Sequence, residues 1–317
     1  MNFPVFDLHC DTAFALLGDD YRQRCSLRRN AGHTDLERAS LLPAYVQCYA
    51  CYTCPQELLD VPISPEQLFG LEYEHILSEI ERNCDCIRLA VNGADIRRNK
   101  QEGLMSAILT IEGTAGFGYD SARLDDLYQK GFRITTLGWN EENILAGSHA
   151  TGGGLSEQGR AYVKKAQQLG MIVDVSHISD KAFWDIMDIA CKPVIASHSN
   201  SRTVCNVSRN LTDDMFRAIC ATGGVSGINL YADFLGCAAD LDTVCDHIFY
   251  FMDLDPTGKH IALGGDLDGC NSLPVGFDGV QSYPALAERL IYRGMSQETV
   301  YDIFWNNALG VIERCCT

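Results

Sequence analysis

Short apolar runs, several of them rich in β-branched residues, recur along the chain with enough sequence between them for a helix. Continuous apolar runs of roughly 4–8 residues are typical of strands that are covered on both faces, as in parallel sheets. Eight runs are therefore predicted to be buried strands, over residues 5–11, 44–51, 107–112, 134–139, 172–177, 194–198, 224–230 and 261–266.

Segments with helical periodicity lie between these strands, and several begin with a residue that caps helices well. Ser64, Ser179 and Thr212 stand at such positions, each next to a proline or an acid that favours the first helical turn. The predicted helices are residues 65–83, 124–130, 156–169, 179–191, 212–222 and 240–254.

The order of strands and helices predicts the architecture. Eight predicted strands in a repeated strand-then-helix order, without a linker long enough to separate domains, indicate an α/β fold of the (β/α)8 TIM-barrel type, forming a single domain over residues 1–317. Residues 283–293 and 296–314 are predicted to be closing C-terminal helices. The polar segment 19–42 is predicted to be an irregular loop beside the mouth of the active site.

Composition and charge narrow the classes of partner. The chain has a net charge of −17 and no basic patch, which argues against binding to nucleic acid or to anionic membranes. The first predicted strand follows Met1 within a few residues, so no signal peptide is expected. The 15 cysteines cannot all pair with one another, and reduced thiols predict a cytoplasmic location.

Five of the predicted strands end in an acid or an imidazole. These side chains are His9 with Asp11, Glu112, His177, His198 and Asp266. Any one of them alone could be a buried residue with ordinary hydrogen bonds. Because the carboxyl ends of barrel strands form the active-site face, their recurrence in strand order predicts a hydrolytic metal site there.

The types of side chain suggest how such a site would work. His9 and Asp11 are two residues apart and share a strand face, while His177 and His198 end neighbouring strands. Glu112 has two oxygens with which to bridge two ions, and Asp266 is placed to take a proton from water. Two ions about 3.5–4 Å apart would activate that water for amide hydrolysis. Zinc is favoured by mixed His and carboxylate ligands, although manganese, cobalt or iron also suit them.

Several short motifs, in this order along nearly the whole chain, resemble those of the renal or membrane dipeptidase family of binuclear zinc peptidases. Its members adopt a (β/α)8 barrel, and the resemblance implies that the barrel of this chain is amidohydrolase-like. The motifs are Asp7-Leu8-His9-Cys10-Asp11-Thr12, Ile111-Glu112-Gly113, Trp139-Asn140, Gly154-Leu155-Ser156, Asp174-Val175-Ser176-His177, Ala196-Ser197-His198-Ser199, Arg209-Asn210-Leu211 and Gly264-Gly265-Asp266-Leu267-Asp268-Gly269.

The resemblance implies a role for each candidate residue. It implies that His9 and Asp11 hold one zinc ion and that His177 and His198 hold the other. Glu112 would bridge the two ions, which makes two Zn²⁺ per chain. The remaining implied roles are general acid/base for Asp266 and binding of the substrate carboxylate for Arg209, whose planar fork suits that task.

The pocket around the metals is expected to include three further residues. Trp139 and Asn140 end the predicted fourth strand, and His149 lies farther along the same loop. Core packing for Trp139 and a surface or structural role for His149 are the alternatives. Family members often carry a substrate-facing His at the end of this strand, a place that Leu137 is expected to occupy here. Loss of that His would remove a group that polarises the substrate carbonyl.

The leading functional hypothesis is a zinc-dependent dipeptidase that cleaves short peptides with a free C-terminal carboxylate, with a metal-bridging water as the nucleophile. One alternative is a binuclear amidohydrolase that acts on a cyclic amide, an N-acyl amino acid or a phosphoester. Another is a catalytically silent barrel that keeps metal for stability. Barrel enzymes of this kind commonly form homodimers, although no stretch of the sequence marks an interface.

Overall fold

The computed structural model describes residues 3–18, 25–58 and 63–317, and its strands follow the predicted pattern closely. All eight predicted strands are present. The strands in these residues are β1 Val5–Cys10, β2 Tyr45–Tyr52, β3 Ile87–Leu89, β4 Met105–Glu112, β5 Phe132–Thr135, β6 Ile172–Asp174, β7 Val194–Ile195, β8 Ser226–Ile228 and β9 Ile261–Leu263.

The strands run parallel in the order β7-β6-β5-β4-β2-β1-β9-β8. Strand β3 lies off this path and pairs with the first residues of β4. The first and last strands of the path meet through Ala196, just beyond β7. Its amide donates to Val225 O at 3.0 Å, and its carbonyl accepts from Gly227 N at 2.8 Å. These bonds close the sheet, so the predicted eight-stranded TIM-type barrel is confirmed.

Helices surround the barrel. They are α1 Thr12–Ala15, α2 Leu36–Ala39, α3 Pro65–Arg82, α4 Gly93–Gln101, α5 Leu124–Gln129, α6 Glu157–Leu169, α7 Asp180–Met187, α8 Asp213–Thr222, α9 Ala232–Leu235, α10 Leu241–Leu254, α11 Tyr283–Tyr292, α12 Gln297–Tyr301 and α13 Asn307–Cys315, with a π-helical turn at Asp302–Asn306 and short 3₁₀ turns at Gln56–Leu58, Ala115–Phe117, Ser121–Arg123 and Val280–Ser282. None of the helices in the described residues is long and apolar enough to cross a membrane.

The predicted caps are confirmed at three helices. Ser64, Ser179 and Thr212 each accept a hydrogen bond from the backbone amide three residues later, as N-caps do. The predicted 296–314 helix is divided by the π-helical turn, and residues 25–42 contain the short helix α2. Residues 19–24 of the predicted loop lie outside the described residues.

Strand β3 and helix α4 were not predicted, and neither were the four-residue helices α1, α2 and α9. Strand β3 has only three residues, of which Ile87 alone is fully buried, so it carries little apolar pattern. Helix α4 is strongly polar, with Ile96 as its one large buried side chain. Its N-cap is Asn92, which accepts from Asp95 N at 2.9 Å and could have been recognised from sequence.

Several predicted strands are longer than the observed ones at their carboxyl ends. Strand β6 ends at Asp174, three residues before His177, and β9 ends at Leu263, three residues before Asp266. Both residues have a positive φ, 70° for His177 and 56° for Asp266, which no β-strand can accommodate. These two candidate side chains therefore lie on tight turns just beyond the strands rather than at the last strand residues.

A buried carboxylate connects the first strand to the C-terminal helices. Asp7 accepts hydrogen bonds from the backbone amides of His9 at 3.1 Å and Gly265 at 2.9 Å, and from the Tyr283 hydroxyl. Asp7 and Tyr283 are both fully buried. This network holds together the ends of β1 and β9, where the candidate residues lie.

We expect the Tyr283→Phe variant to be less stable by about 1–3 kcal/mol, because a buried acceptor loses its donor. Urea unfolding followed by far-UV circular dichroism measures this loss as a lower midpoint. The matched control is Tyr292→Phe on the same helix. This substitution also removes a hydroxyl and keeps the ring, but Tyr292 is 80% exposed. Equal midpoints for the two variants would show that the Tyr283 hydroxyl contributes nothing measurable.

Candidate active site

A cavity of about 610 Å³ opens at the carboxyl ends of the barrel strands. Polar and charged side chains from six places in the chain reach it, together with a set of aromatic rings. The polar and charged lining residues are Asp11, Glu112, Asn140, His149, His177, Arg209, Asp266, Asp268 and Asn271. The aromatic ones are Phe14, Tyr52, Trp139, Tyr231 and Phe234.

Glu112 lies at the centre of the polar cluster, at the end of β4 and only 3% exposed. Its Oε1 is 2.8 Å from His177 Nε2 and 3.8 Å from His198 Nε2. Its other oxygen, Oε2, is 3.4 Å from His9 Nε2. One carboxylate thus faces three imidazoles. Its Oε1 is directed toward His177 and His198, and its Oε2 toward His9.

His9 connects this group to two further carboxylates. Its Nε2 is 3.4 Å from Asp11 Oδ2 and 3.8 Å from Asp266 Oδ1. The His9 ring stacks on the His198 ring with centroids 3.8 Å apart. Two sets of three donor atoms, each within 4.8 Å of one another, result: His9, Glu112 and His198, and His9, Asp11 and Asp266. All six residues predicted from the strand ends are therefore brought together.

The hydrogen bonds of two imidazoles show that the cluster suits cations. His177 Nδ1 is 2.8 Å from Asn140 Oδ1, an acceptor, so this nitrogen carries the proton. His198 Nδ1 is 2.6 Å from Ser197 Oγ, whose own proton is donated to Asp174. Both Nε2 atoms therefore present lone pairs, and they face each other at 2.9 Å.

Two opposed lone pairs repel each other unless a cation lies beside them. In addition, the buried His9 Nε2 has no hydrogen-bond partner among the described residues. The donor set consists of the imidazoles of His9, His177 and His198 and the carboxylates of Asp11, Glu112 and Asp266. Zinc and similar divalent metals prefer such a mixture of nitrogen and oxygen donors. The residues present thus fit a metal centre.

Burial dominates the electrostatics of the cluster. Burial, followed by the charge of Arg209 for His177 and of His9 for His198, holds the pKa of both imidazoles well below the ordinary value. Burial raises the pKa of Asp11 and that of Asp266 to about 6. For His9, burial lowers the pKa, but the charges of Glu112 and Asp11 outweigh it and raise the pKa well above the usual value.

Asp174 supports the two imidazoles from behind. Its Oδ1 accepts from Ser176 N and from Ser197 N, both at 2.9 Å, and so connects the turn after β6 to the turn after β7. Through Ser197 it also fixes the proton on His198 Nδ1. Outer hydrogen bonds of this kind orient metal-binding imidazoles and fix their tautomer.

Asp266 is held by contacts that the sequence did not reveal. Asn229, in the loop after β8, donates from Nδ2 to Asp266 Oδ2 at 2.9 Å. The Asp266 amide donates to His9 O at 3.2 Å. The other oxygen, Oδ1, faces His9 Nε2. Asn229 was missed because it lies in an apolar run with no recognisable motif.

Arg209 is a buried arginine, 4% exposed, in the cavity wall. Its Nη1 donates to Ser199 Oγ at 3.1 Å and its Nη2 to His198 O at 3.4 Å, while Nε is buried without a partner. No carboxylate in the described residues forms an ion pair with it. The guanidinium lies over the Phe234 ring at 5.6 Å. An arginine so placed is suited to bind an anion that enters the cavity.

The three predicted pocket residues all line the cavity. Asn140 Oδ1 contacts His177 Nδ1 and also His149 Nε2, each at 2.8 Å. His149 Nδ1 is 2.9 Å from Ser208 Oγ. Burial, with the nearby charges of Arg209 and another arginine, lowers the pKa of His149 to about 4.

The expectation that Leu137 occupies the substrate-facing place on this strand is wrong. Leu137 is fully buried in the apolar core, and its carbonyl accepts from Thr114 Oγ1 at 2.8 Å. Trp139, two residues later, faces the cavity instead. Strand β5 ends at Thr135, so strand alternation does not determine which of the later side chains turns inward.

Comparison with known proteins gives a consistent result. Residues 1–316 match the family model described as membrane dipeptidase (peptidase family M19). A protein in the pqqA 5′ region of Klebsiella pneumoniae, described as uncharacterized, is 33% identical over 269 residues, covering 80% of this chain and 98% of its own. An uncharacterized dipeptidase of Schizosaccharomyces pombe is 30% identical over 331 residues, covering 98% of this chain and 80% of its own.

Among solved structures, the barrel resembles a metallopeptidase of Rhodobacter sphaeroides bound to a phosphinate mimic of the dipeptide L-Ala-D-Ala. The TM-score is 0.88 at 26% identity, over 99% of this chain and 100% of that one. The chain therefore belongs to the membrane dipeptidase family, peptidase family M19, and is a metal-dependent hydrolase of peptide bonds.

Proposed function

We propose that this protein is a zinc dipeptidase that hydrolyses the amide bond of short peptides with a free C-terminal carboxylate. The observation that carries the proposal is the placement of Arg209. A buried guanidinium with a partnerless Nε lines the same cavity as the imidazole and carboxylate cluster. A substrate with a carboxylate at one end and an amide near it would satisfy both groups at once.

Five residues would hold two zinc ions. His9 and Asp11 would bind one ion, His177 and His198 the other, and Glu112 would bridge them through its two oxygens. Two ions bound here would bring the pKa of a water molecule toward roughly 7 and polarise the scissile carbonyl. The proton on Nδ1 of His177 and His198 supports this arrangement, because it leaves both Nε2 lone pairs free for a metal.

Asp266 would be the general acid/base. Asn229 holds one of its oxygens, and this leaves Oδ1 directed toward the cluster. From that position, Asp266 would take a proton from the attacking water and transfer it to the nitrogen of the leaving amino acid.

The cavity walls suit a small peptide. Phe14, Tyr52 and Trp139 form an aromatic series with ring centroids 5.7 and 5.1 Å apart. Tyr231 and Phe234 form a second pair, with centroids 4.8 Å apart. The ligand of the related R. sphaeroides enzyme is a dipeptide mimic, which supports a dipeptide as the substrate class here.

We expect Arg209→Ala to reduce kcat/KM for a free dipeptide by roughly 30-fold or more, because removal of one partner of a buried charge pair costs about 2–5 kcal/mol. The same dipeptide as its C-terminal amide should lose little, since it has no carboxylate. Steady-state kinetics with both substrates measure the difference. Arg202→Ala is the matched control, because Arg202 already pairs with Asp180 at 2.7 Å.

An unchanged preference for the free carboxylate in Arg209→Ala would contradict this role. Hydrolysis of N-acetyl amino acids at the rate of dipeptides would instead favour an amidohydrolase of N-acyl amino acids. Metal binding without hydrolysis of any amide in the panel would favour the silent barrel.

We further propose that the protein acts in the cytoplasm. All 15 cysteines are free thiols in the structure, as expected of a protein from a reducing compartment. Detection of the native protein in the cytoplasmic fraction of the cell would support this proposal, and its detection in another fraction would contradict it.

A further inference from the structure

A second group of metal-binding side chains lies at the opposite end of the barrel. Cys220, Asp255 and His260 each place one ligand atom within 4.8 Å of the other two. Among the described residues, this is the group of three such donors that shares no member with the cavity cluster.

Each of the three residues lies where an element ends or begins. Cys220 is in the last turn of α8, and Asp255 directly follows the last residue of α10 as its C-cap. His260 directly precedes β9. Helices that precede barrel strands end at the amino-terminal face, so the group lies on the face away from the cavity.

Asp255 has one engaged oxygen and one without a partner. Its Oδ1 accepts from Thr257 N at 3.2 Å and from Thr257 Oγ1 at 2.6 Å. Its Oδ2 is buried and has no hydrogen-bond partner in the described residues. A buried carboxylate oxygen without a donor is costly, and a bound cation would remove that cost.

The tautomer of His260 is fixed by its surroundings. Its Nδ1 is 2.7 Å from the carbonyl oxygen of Gly224, which can only accept, so Nδ1 carries the proton. Nε2 of the neutral ring therefore bears a lone pair. A backbone carbonyl in this position is a common partner of imidazoles that bind metal through the other nitrogen.

The loop that carries Asp255 and His260 is held firmly. The side chain of Asn307 on α13 donates to Gly258 O at 2.7 Å and to Ile261 O at 2.8 Å. The carbonyl of His260 accepts from Ser226 N in β8 at 2.9 Å. The donors are thus positioned before any ion arrives, which lowers the entropy cost of binding.

We propose that Cys220, Asp255 and His260 form a third site for a divalent transition metal of the zinc type, separate from the binuclear centre. A thiolate, a carboxylate and a neutral imidazole are all donors that zinc accepts, and one water would complete a tetrahedron. The two negative charges neutralise the ion. The site connects the ends of α8 and α10 to the start of β9, and it does not depend on the proposed peptidase activity.

Cobalt substitution tests the proposal on the full-length chain. The protein is freed of metal with a chelator, reconstituted with Co²⁺, and analysed for cobalt per chain and for the near-ultraviolet absorption of a cobalt–thiolate bond. We expect three Co²⁺ per chain and a thiolate band. Because no cysteine is among the proposed ligands of the binuclear centre, this band reports the third site.

Cys220→Ser should bind two Co²⁺, lose the band and keep its dipeptidase activity within about twofold. Cys84→Ser, at an exposed cysteine, is the matched control and should keep three ions and the band. Asp255→Asn retains the thiol and should require more Co²⁺ to reach the same band, which separates loss of a ligand from misfolding of Cys220→Ser. Two ions without a band in the unmodified protein, or a band that persists in Cys220→Ser, would overturn the proposal.

Discussion

Asp266→Asn is expected to lower kcat for a dipeptide by roughly 10²–10⁴-fold, the usual contribution of a general acid/base, while the metal content per chain stays that of the unmodified protein. The variant keeps the size and shape of the side chain but removes its ability to accept the proton. Asparagine is also one of the few residues that tolerate a positive φ, and the φ of Asp266 is 56°. The backbone turn is therefore expected to survive the substitution.

The experiment pairs kcat with metal content measured on the same preparation. Asp268→Asn is the matched control, because Asp268 also has a positive φ and also lines the cavity. Its carboxylate is already engaged, since it accepts from Thr12 Oγ1 at 2.6 Å and from His33 N. We expect Asp268→Asn to reduce kcat far less.

Loss of metal from Asp266→Asn would give this residue a different role. Asp266 Oδ1 lies 3.8 Å from His9 Nε2, in one set of potential donors with Asp11. If metal content and kcat fell together, Asp266 would have to be assigned as a ligand. Retained metal with full activity would show that another group handles the proton.

Much of the fold could be predicted because most of the longer elements carry their own local signal. The apolar run at residues 107–112 corresponds to β4, and its last residue is Glu112, as predicted. Ser179 and Thr212 cap their helices as expected from sequence. Such features depend on neighbours within a few residues, and the sequence shows these directly.

The geometry beyond the strand ends could not be predicted in the same way. The face toward which a side chain turns follows strand alternation only as far as the strand continues. Strand β5 ends at Thr135, so alternation gave no physical basis for placing Leu137 in the substrate-facing position after this strand. His177 lies on a turn and has a positive φ, which no local pattern in the sequence reveals.

The sequence also did not reveal contacts between side chains and groups that are far apart along the chain. Asn229 reaches Asp266 across 37 residues of sequence, and Asp174 binds the amide of Ser197 across 23. Neither contact follows from a spacing rule, because each depends on which barrel strands become neighbours. The candidate metal ligands could be recognised in the sequence because their side chains are chemically distinctive, whereas the residues that orient them are common types.

Glu112→Gln is expected to have the other large effect: loss of bound metal and a fall in kcat/KM of at least roughly 10³-fold, since charge stabilisation by metal contributes several kcal/mol to catalysis. Glutamine has the same shape but is neutral, and its NH₂ group would face an imidazole lone pair in place of an oxygen. Although burial raises the pKa of Glu112, the charge of His9, the hydrogen bonds with His9 and Asp11 and the charge of Arg209 together outweigh burial and hold the pKa below the ordinary value, so the carboxylate is ionised.

Metal content after dialysis and dipeptide kinetics test this prediction together. Glu72→Gln is the matched control, because Glu72 is equally buried and its Oε2 accepts from Tyr52 N, a bond that glutamine can keep. Glu72→Gln should retain metal and activity. If Glu112→Gln kept two ions and lost only turnover, Glu112 would act on the substrate or on water rather than as the bridge. If the Glu112→Gln variant kept both metal and turnover, Glu112 would not be a member of the proposed metal centre.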